Sequence, residues 1–201
     1  MTYWIVRFLT LCFSKIFFPF QVHGVENILP RGAFIYASNH ISYLDPVVLA
    51  ISCQRRISFV AKDSLFKNKL FGWFISNLDA FPIKRESADI GAIRETIKRL
   101  KQGRAVLIFP QGTRIHDPDF RKVESGIGMI TVKSGVPVVP VYVTGTDRAL
   151  PEGAKFFKRY PITIYIGKAV SYSPQDPYSD IASDIMNKIL SLPQMYQSVS
   201  S

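Results

Sequence analysis

A histidine and an aspartate lie five positions apart in the segment Asn39-His40-Ile41-Ser42-Tyr43-Leu44-Asp45. His40 follows an apolar run typical of a buried strand, and Asp45 precedes Pro46 at the expected start of a helix. A carboxylate that accepts the proton of one imidazole nitrogen fixes the tautomer and leaves the other nitrogen to deprotonate a hydroxyl. The pattern predicts that His40 is a general base oriented by Asp45, although Asp45 as a helix N-cap and His40 as a polar strand end would fit the same spacing.

Three further segments follow in order, Phe81-Pro82-Ile83-Lys84-Arg85, Phe109-Pro110-Gln111-Gly112-Thr113-Arg114 and Val136-Pro137-Val138-Val139-Pro140-Val141. With residues 39–45, they resemble the glycerolipid acyltransferase family, most closely the 1-acylglycerol-3-phosphate acyltransferases, from about residue 22 to about residue 170. The resemblance implies transfer of a fatty acyl group from acyl-CoA or acyl carrier protein to the free hydroxyl of 1-acylglycerol-3-phosphate, giving phosphatidic acid. It implies His/Asp general-base catalysis without a covalent enzyme intermediate.

The same resemblance implies a set of substrate-binding residues, namely Asn39, Lys84, Arg85, Gln111, Gly112, Thr113 and Arg114. Arg85 and Arg114 each follow an apolar run, so we expect them at the sheet edge that carries His40, where open α/β sheets bind ligands. Two guanidinium groups would hold the acceptor's phosphate, and the turn at residues 112–113 would add backbone N–H donors. Lys84 and Arg85 could instead be solvated charges.

Gln111 stands where the family usually has a glutamate. A glutamine keeps the size and one acceptor oxygen but carries no charge, so it can hydrogen-bond a glycerol hydroxyl without repelling a phosphate. It could equally mark a different acceptor, such as another lysophospholipid or a glycolipid.

Apolar side chains that could contact an acyl chain or a bilayer occur in three places, and the candidates are Trp4, Phe8, Phe66, Phe71, Trp73, Phe74, Val138 and Val139. Residues 64–78 predict an aromatic helix interrupted by Gly72. We expect the two valines, which lie between Pro137 and Pro140, to form a stiff wall beside the acyl groove. Ordinary core packing explains both of these segments almost as well.

Residues 1–20 predict an amphipathic helix that associates with a membrane. Arg7, Thr10 and Ser14 form a narrow polar stripe opposite a broad apolar face, which favours a helix lying in one leaflet; the alternatives are a spanning helix and a buried core helix. We therefore expect a peripheral or monotopic protein with its active site on the cytoplasmic side. Two cysteines in unrelated segments, Cys12 and Cys53, indicate a reducing compartment.

The remainder predicts one α/β domain over residues 21–192, with a mixed, largely buried sheet flanked by helices, and a polar tail over residues 193–201. The predicted strands are 33–37, 57–61, 80–83, 105–109, 136–143 and 162–166. The predicted helices cover residues 45–52 and 64–78, a stretch from Ser87 to Gly103, and residues 124–134 and 181–192.

The chain of 201 residues has a formal charge of +10, of which +7 falls in residues 51–104, where we expect a basic face toward anionic headgroups. The expected partners are an anionic phospholipid membrane, a lysophospholipid acceptor and an acyl thioester, and not nucleic acid, because no recognition helix or aromatic RNA platform is present. No Gly-x-Ser-x-Gly, metal-ligand or phosphate-loop spacing occurs, so no acyl-serine, metal or other cofactor is expected. A non-catalytic lipid-binding protein remains the alternative to an enzyme.

Overall fold

A computed structural model describes residues 2–83, 90–114 and 123–199. Within these residues the chain forms seven α-helices and seven strands. The helices are α1 (Thr2–Phe17), α2 (Asp45–Ser52), α3 (Lys69–Asn77), α4 (Ile90–Lys101), α5 (Gly126–Ser134), α6 (Thr146–Ala149) and α7 (Tyr178–Val199). The strands are β1 (Phe20–His23), β2 (Phe34–Ser38), β3 (Ile57–Lys62), β4 (Ala80–Ile83), β5 (Ala105–Ile108), β6 (Val138–Thr144) and β7 (Ile162–Ile166).

The strands form one mixed sheet in the order β1-β7-β6-β2-β5-β3-β4, which confirms the predicted fold class. Strands β2 to β6 are parallel, whereas β7 is antiparallel to β6 and parallel to β1. Central strand β2 lies between β5 and β6, with Tyr36 opposite both Leu107 and Val139. The carboxyl ends of β2, β5 and β6 therefore meet at one edge, where ligands of open α/β sheets collect.

Helices cover both faces of the sheet, so β2 is buried along its whole length, as its run of apolar residues predicts. On one face, α2 and the end of α1 pack over Tyr36, Leu107 and Val139. On the other face, α4, α5 and α7 pack over Ile35 and Val106. Two hydrophobic layers thus hold the central strands rigid and fix the loops at their ends.

Two helices differ from the sequence predictions by five residues or more at one end. The predicted helix over residues 64–78 is a 3-10 turn, Asp63–Phe66, followed by α3, which begins at Lys69 because the Asn68 side chain accepts a hydrogen bond from the Phe71 N–H at 3.0 Å. Gly72 does not interrupt this helix. A Cβ at Gly72 would lie 2.9 Å from the Phe66 carbonyl oxygen, so the glycine permits the 3-10 turn to pack directly on α3.

The prediction that the last helix ends at Leu192 is wrong, because α7 continues through Pro193 to Val199. The hydroxyl of Tyr196 donates to the Ile166 carbonyl at 2.7 Å, and its ring lies against His23 and Tyr165. These contacts hold the end of the chain against β7 and β1. Strand β1 itself was not predicted, since a four-residue strand gives too short an apolar pattern.

Helix α1 lies against the domain with its polar stripe inward. The Arg7 guanidinium donates to the carbonyls of Ile51 and Cys53 at 2.9 Å each, at the carboxyl end of α2, and the Tyr3 hydroxyl accepts from the Ile57 N–H at 3.1 Å. Ser14 is buried. We call the opposite side the α1 outer face, and its exposed side chains are Trp4, Ile5, Phe8, Leu9, Phe13 and Ile16.

The hydropathy of the helices bears on the spanning alternative. In the described ranges, 2–83, 90–114 and 123–199, no helix has both the length and the apolar character needed to cross a bilayer.

Part of the basic segment 51–104 is used to neutralise one carboxylate. Asp79 is buried and accepts from Arg56, Arg99 and Arg104 at 3.2, 2.9 and 3.1 Å. This cluster lies where β3, β4 and β5 begin, at the edge of the sheet away from His40. These three arginines therefore hold the starts of the strands together.

Candidate active site

The predicted general base and its orienting carboxylate are in direct contact. His40 follows β2 at the carboxyl edge, and its Nδ1 lies 2.8 Å from Asp45 Oδ2. That oxygen also accepts from the backbone N–H groups of Ile41 at 2.6 Å and Ser42 at 2.8 Å, so it acts as an acceptor and the shared proton belongs to Nδ1. Nε2 is then the nitrogen positioned to take a proton from a substrate hydroxyl.

Asp45 does not cap its helix. It is the first residue of α2, whose N-cap is Leu44, and its Oδ2 turns back to His40, Ile41 and Ser42 in the preceding loop. The carboxylate is completely buried. Its other oxygen, Oδ1, accepts from the hydroxyl of Thr146 at 2.6 Å, so both oxygens are satisfied by protein donors.

Thr146 is a site residue that the sequence analysis missed. It is completely buried and begins α6, just after β6, which brings it to the same edge as His40. Gly145 makes the turn between them with a φ of 87°, and a Cβ there would lie 1.9 Å from the Pro161 carbonyl oxygen. The signal in the sequence was the short polar segment Thr144-Gly145-Thr146 directly after a buried strand.

Two residues of the segment 109–114 fix His40 in place. The Phe109 ring stacks on the imidazole with the centroids 3.9 Å apart and the planes inclined by 14°. Gln111 is buried, and its side-chain oxygen accepts from the His40 backbone N–H at 3.0 Å. This oxygen therefore holds the loop that carries His40, and the role of Gln111 in substrate binding stays a prediction.

Asn39 is also a structural residue and not a substrate ligand. Its amide oxygen accepts from the Val143 N–H at 2.8 Å, and its amide nitrogen donates to the Val143 carbonyl at 2.8 Å. The side chain is completely buried. This two-point bond continues the pairing of β2 with β6 beyond the strand end and sets the position from which the His40 loop starts.

Arg114 is the predicted phosphate ligand that the structure places beside the site. Its guanidinium carbon lies 3.4 Å from the centroid of the Tyr43 ring, and its Nη1 lies 3.9 Å from a carboxylate oxygen of Glu152. Gly112 and Thr113 form the exposed turn before it, and Gly112 has a φ of 68°. Lys84 and Arg85 lie outside the described residues.

A cavity of about 890 Å³ begins at His40 and Arg114, and its lining comes from α1, α2 and α3, from β3 and β5, and also from α4 and α5 on the other face of the sheet. This volume is at the upper end of the range for ligand pockets, and apolar side chains dominate the lining. Phe71 and Phe74 are in the lining, as predicted, together with Val6 and Thr10 from α1.

The other predicted groove residues lie elsewhere. Val138 and Val139 are wholly buried in β6, one in each hydrophobic layer, so the prediction that they line a groove is wrong. Phe66 packs its backbone against α3 and is absent from the lining. The exposed rings of Trp4, Phe8 and Trp73 face outward and not into the cavity.

A smaller polar pocket of about 50 Å³ lies beside Arg114 and is lined by Ile41, Ser42, Tyr43, Arg114, Asp147, Leu150 and Glu152. It shares Tyr43 and Arg114 with the large cavity, so a headgroup and an acyl chain could occupy adjoining spaces. Across the ranges 2–83, 90–114 and 123–199, no three His, Cys, Asp or Glu side chains are grouped as metal ligands.

Comparison with known proteins gives consistent results. The family model described as Acyltransferase matches residues 19–144. The 1-acyl-sn-glycerol-3-phosphate acyltransferase of Bacillus subtilis is 31% identical over 74% of this chain and 72% of its own length. The chloroplastic enzyme BAT2 of Brassica napus, with the same activity in its name, is 28% identical over 88% of this chain; the chain spans about half, 52%, of that relative.

Among solved structures, the 1-acyl-sn-glycerophosphate (LPA) acyltransferase PlsC of Thermotoga maritima superposes with a TM-score of 0.69 and 28% identity. The match covers 91% of this chain and 78% of the other. The structural similarity therefore extends over most of this chain.

Proposed function

The chain belongs to the acyltransferase family, and on that premise we propose that it transfers a fatty acyl group from an acyl thioester to the free hydroxyl of 1-acylglycerol-3-phosphate. The product is phosphatidic acid, and the acyl donor is acyl-CoA or acyl carrier protein. The observation that carries this proposal is the 2.8 Å contact of His40 with Asp45 at the wall of an apolar cavity that Arg114 also lines.

The chemistry follows from the orientation of His40. Nε2 takes the proton of the acceptor hydroxyl while that oxygen attacks the thioester carbonyl carbon, and the imidazolium that forms is stabilised by the Asp45 carboxylate. The carbon–sulfur bond then breaks, and the leaving thiolate takes the proton back from Nε2. Protons balance over the two steps, and no covalent enzyme intermediate is needed. The thioester is a co-substrate, and no further cofactor enters the reaction.

Arg114 binds the acceptor's phosphate in this proposal. Its side chain is only 16% exposed, and its stacking on Tyr43 holds the guanidinium plane in one orientation, so little conformational entropy is lost when a phosphate binds. The turn at Gly112 and Thr113 adds backbone donors, and Arg85 and Lys84 are further candidates for this role. Asp147 and Glu152 at the small pocket disfavour extra negative charge beyond one phosphate.

The acyl chain of a substrate lies in the large cavity, where α3 contributes the apolar side chains of Phe71, Phe74 and Ile75. Because α1 forms one wall of the cavity and exposes its outer face on the other side, we propose that the protein is bound to an anionic phospholipid membrane through that face. Lipid substrates would then enter between α1 and α3 without crossing water.

The decisive experiment incubates the purified protein with labelled acyl-CoA or acyl carrier protein and a panel of lysolipids, and identifies each product by mass. The panel contains 1-acylglycerol-3-phosphate, lysophosphatidylcholine, lysophosphatidylethanolamine and a lysoglycolipid. We expect phosphatidic acid as the main product, and we expect His40→Ala to lose about two to four orders of magnitude in rate.

The matched control is His23→Ala, since His23 ends β1 and stacks on Tyr165 outside the site. It should retain the wild-type rate. A His40→Ala protein that transfers acyl groups at nearly the wild-type rate would refute the mechanism. If no lysolipid is acylated from either donor while lipid is bound, the non-catalytic lipid-binding alternative is correct.

A further inference from the structure

A loop at the active-site edge exposes a large aromatic side chain. Residues 150–161, with the sequence LPEGAKFFKRYP, join α6 to β7, and we call them the 150–161 loop. Because β7 is antiparallel to β6, this loop lies at the same edge as His40. Phe156 is 83% exposed, more than any other large apolar residue in the described part of the chain.

Contacts made by the neighbours of Phe156 fix the loop in the conformation that exposes this residue. The Lys158 N–H donates to the Ala149 carbonyl at 2.8 Å. The Phe157 ring makes edge-on contacts with Phe13 and Phe18, at centroid distances of 6.4 and 6.2 Å. Phe157 therefore anchors the loop to the end of α1, and Phe156 points outward from an ordered base.

The charges around Phe156 are mostly positive. Lys155, Lys158 and Arg159 are all exposed, whereas Glu152 is the one acidic residue in the sequence of the loop, which gives it a net charge of +2. An apolar ring flanked by cations fits a phospholipid surface, since the ring enters the acyl boundary while the cations bind phosphates. An acidic protein would be matched by the three cations but would leave Phe156 without an apolar medium.

The loop is also continuous with an apolar surface. Through the Phe157–Phe13 contact it adjoins the α1 outer face, and Ile16 and the exposed Lys15 lie at the same end of that helix. The two elements together present exposed apolar groups with cations at one end, an arrangement that a single flat bilayer can cover.

We propose that the 150–161 loop is a second membrane-binding element that docks on anionic phospholipid, with Phe156 inserted and Lys155, Lys158 and Arg159 on the phosphates. This inference rests on the proposed function in one respect, namely that the substrates are membrane lipids. Leu150 and Glu152 line the small polar pocket beside Arg114, so a docked loop places that pocket at the level of the headgroups.

Co-sedimentation of the full chain with vesicles tests this docking. Two vesicle types are used, phosphatidylcholine alone and phosphatidylcholine mixed with phosphatidylglycerol, and the partition coefficient is measured for each variant. For the triple variant K155Q/K158Q/R159Q, the partition coefficient on anionic vesicles should fall about 100-fold, because each cation contributes about a factor of five. On phosphatidylcholine alone it should fall less than about threefold. Phe156→Ser should lose about tenfold or more on both types, because the inserted ring is missing in both cases.

The matched control is R94Q/K98Q/K101Q, which removes the same charge from the exposed side of α4, on the other face of the sheet. It should stay within about threefold of the wild type on both vesicle types, since charges away from the contact are screened. Phe156→Leu should restore most of the binding lost in Phe156→Ser. The loop variants change only exposed side chains, so folding is not in question.

Three outcomes would overturn the proposal: loop variants that bind both vesicle types as the wild type does, a control triple that loses as much as the loop triple, or a loop triple impaired only in acyl transfer from acyl carrier protein. The last result would identify an acidic carrier protein as the occupant. His40→Ala serves to separate this proposal from the enzymatic one. It should bind vesicles like the wild type, so a failure of catalysis leaves the vesicle result intact, and the reverse holds as well.

Discussion

The hydroxyl of Thr146 provides a sharp test of how the His40–Asp45 pair is held. Thr146→Val keeps the shape of the side chain and removes the 2.6 Å hydrogen bond to Asp45 Oδ1. Thr146 is completely buried and is absent from the lining of both pockets, so the substitution changes no substrate contact. Any effect on the reaction must therefore act through Asp45.

The expected magnitude follows from the four donors on Asp45. A hydrogen bond to a charged group contributes about 1.5–3 kcal/mol, and its loss leaves a buried carboxylate oxygen without a partner. Oδ2 keeps its contacts with His40 and with the N–H groups of Ile41 and Ser42, so the carboxylate is loosened and not released. We expect about 1.5–3 kcal/mol of lost stability and about a tenfold drop in kcat, with the acceptor KM within about threefold of wild type.

Urea unfolding and steady-state acyl transfer measure the two effects. Thr131→Val is the matched control, because the Thr131 hydroxyl is equally buried and donates to the Ile127 carbonyl at 2.8 Å inside α5, away from the site. It should lose stability without losing kcat, and Thr146→Ser should restore both quantities. The reasoning would be refuted if folded Thr146→Val kept its kcat, or if Thr131→Val lost as much of it.

Two further predictions concern Arg114 and Cys53. Arg114→Ala should raise the acceptor KM about 10- to 100-fold, which corresponds to the loss of one charge-assisted hydrogen bond, and leave the donor KM unchanged. The control Arg148→Ala, at an exposed arginine, should change neither KM. A rise in the donor KM alone would show that Arg114 does not bind the phosphate. Burial raises the pKa of the Cys53 thiol to about 11. The folded state therefore favours the neutral thiol, and the stability that this contributes is complete below about pH 9 and is lost as the pH rises toward 11. The urea midpoint should fall over this range by an amount corresponding to about 2–3 kcal/mol, and Cys53→Ala should flatten the fall; equal slopes for the two proteins would contradict the assignment.

The parts of the fold that sequence predicted well are those with strong local patterns. Continuous apolar runs placed β2, β5 and β6 within two residues of their observed bounds, and Gly135, with a φ of 66°, ends α5 as expected. The weaker predictions involve contacts between distant residues. Tyr196 extends the last helix through a hydrogen bond to Ile166, and no pattern within the helix reports that partner.

The active-site predictions divide in the same way, between contacts of near neighbours in sequence and contacts of distant residues. His40 and Asp45 are five residues apart, and the turn between them is short enough for their contact to follow from spacing alone. Asn39, Gln111 and Thr146 bond to groups 104, 71 and 101 positions away, so their roles depend on the order of strands in the sheet. For Asn39 and Gln111 the residue type alone did not predict these contacts, because an amide suited to a substrate is equally suited to bridging two loops.

The orientation of α1 shows what a helical wheel leaves open. The wheel separates the Arg7, Thr10 and Ser14 stripe from the apolar side, but either side can face water. Arg7 turns inward because the final carbonyls of α2 offer acceptors to a guanidinium, at the helix end that favours positive charge. Six large apolar side chains are then left on the outer face, and a soluble surface seldom carries so many together. The contacts that dock α1 on the domain are thus the reason that its outer face requires an apolar partner, and the cations of the neighbouring 150–161 loop favour a lipid surface over another protein.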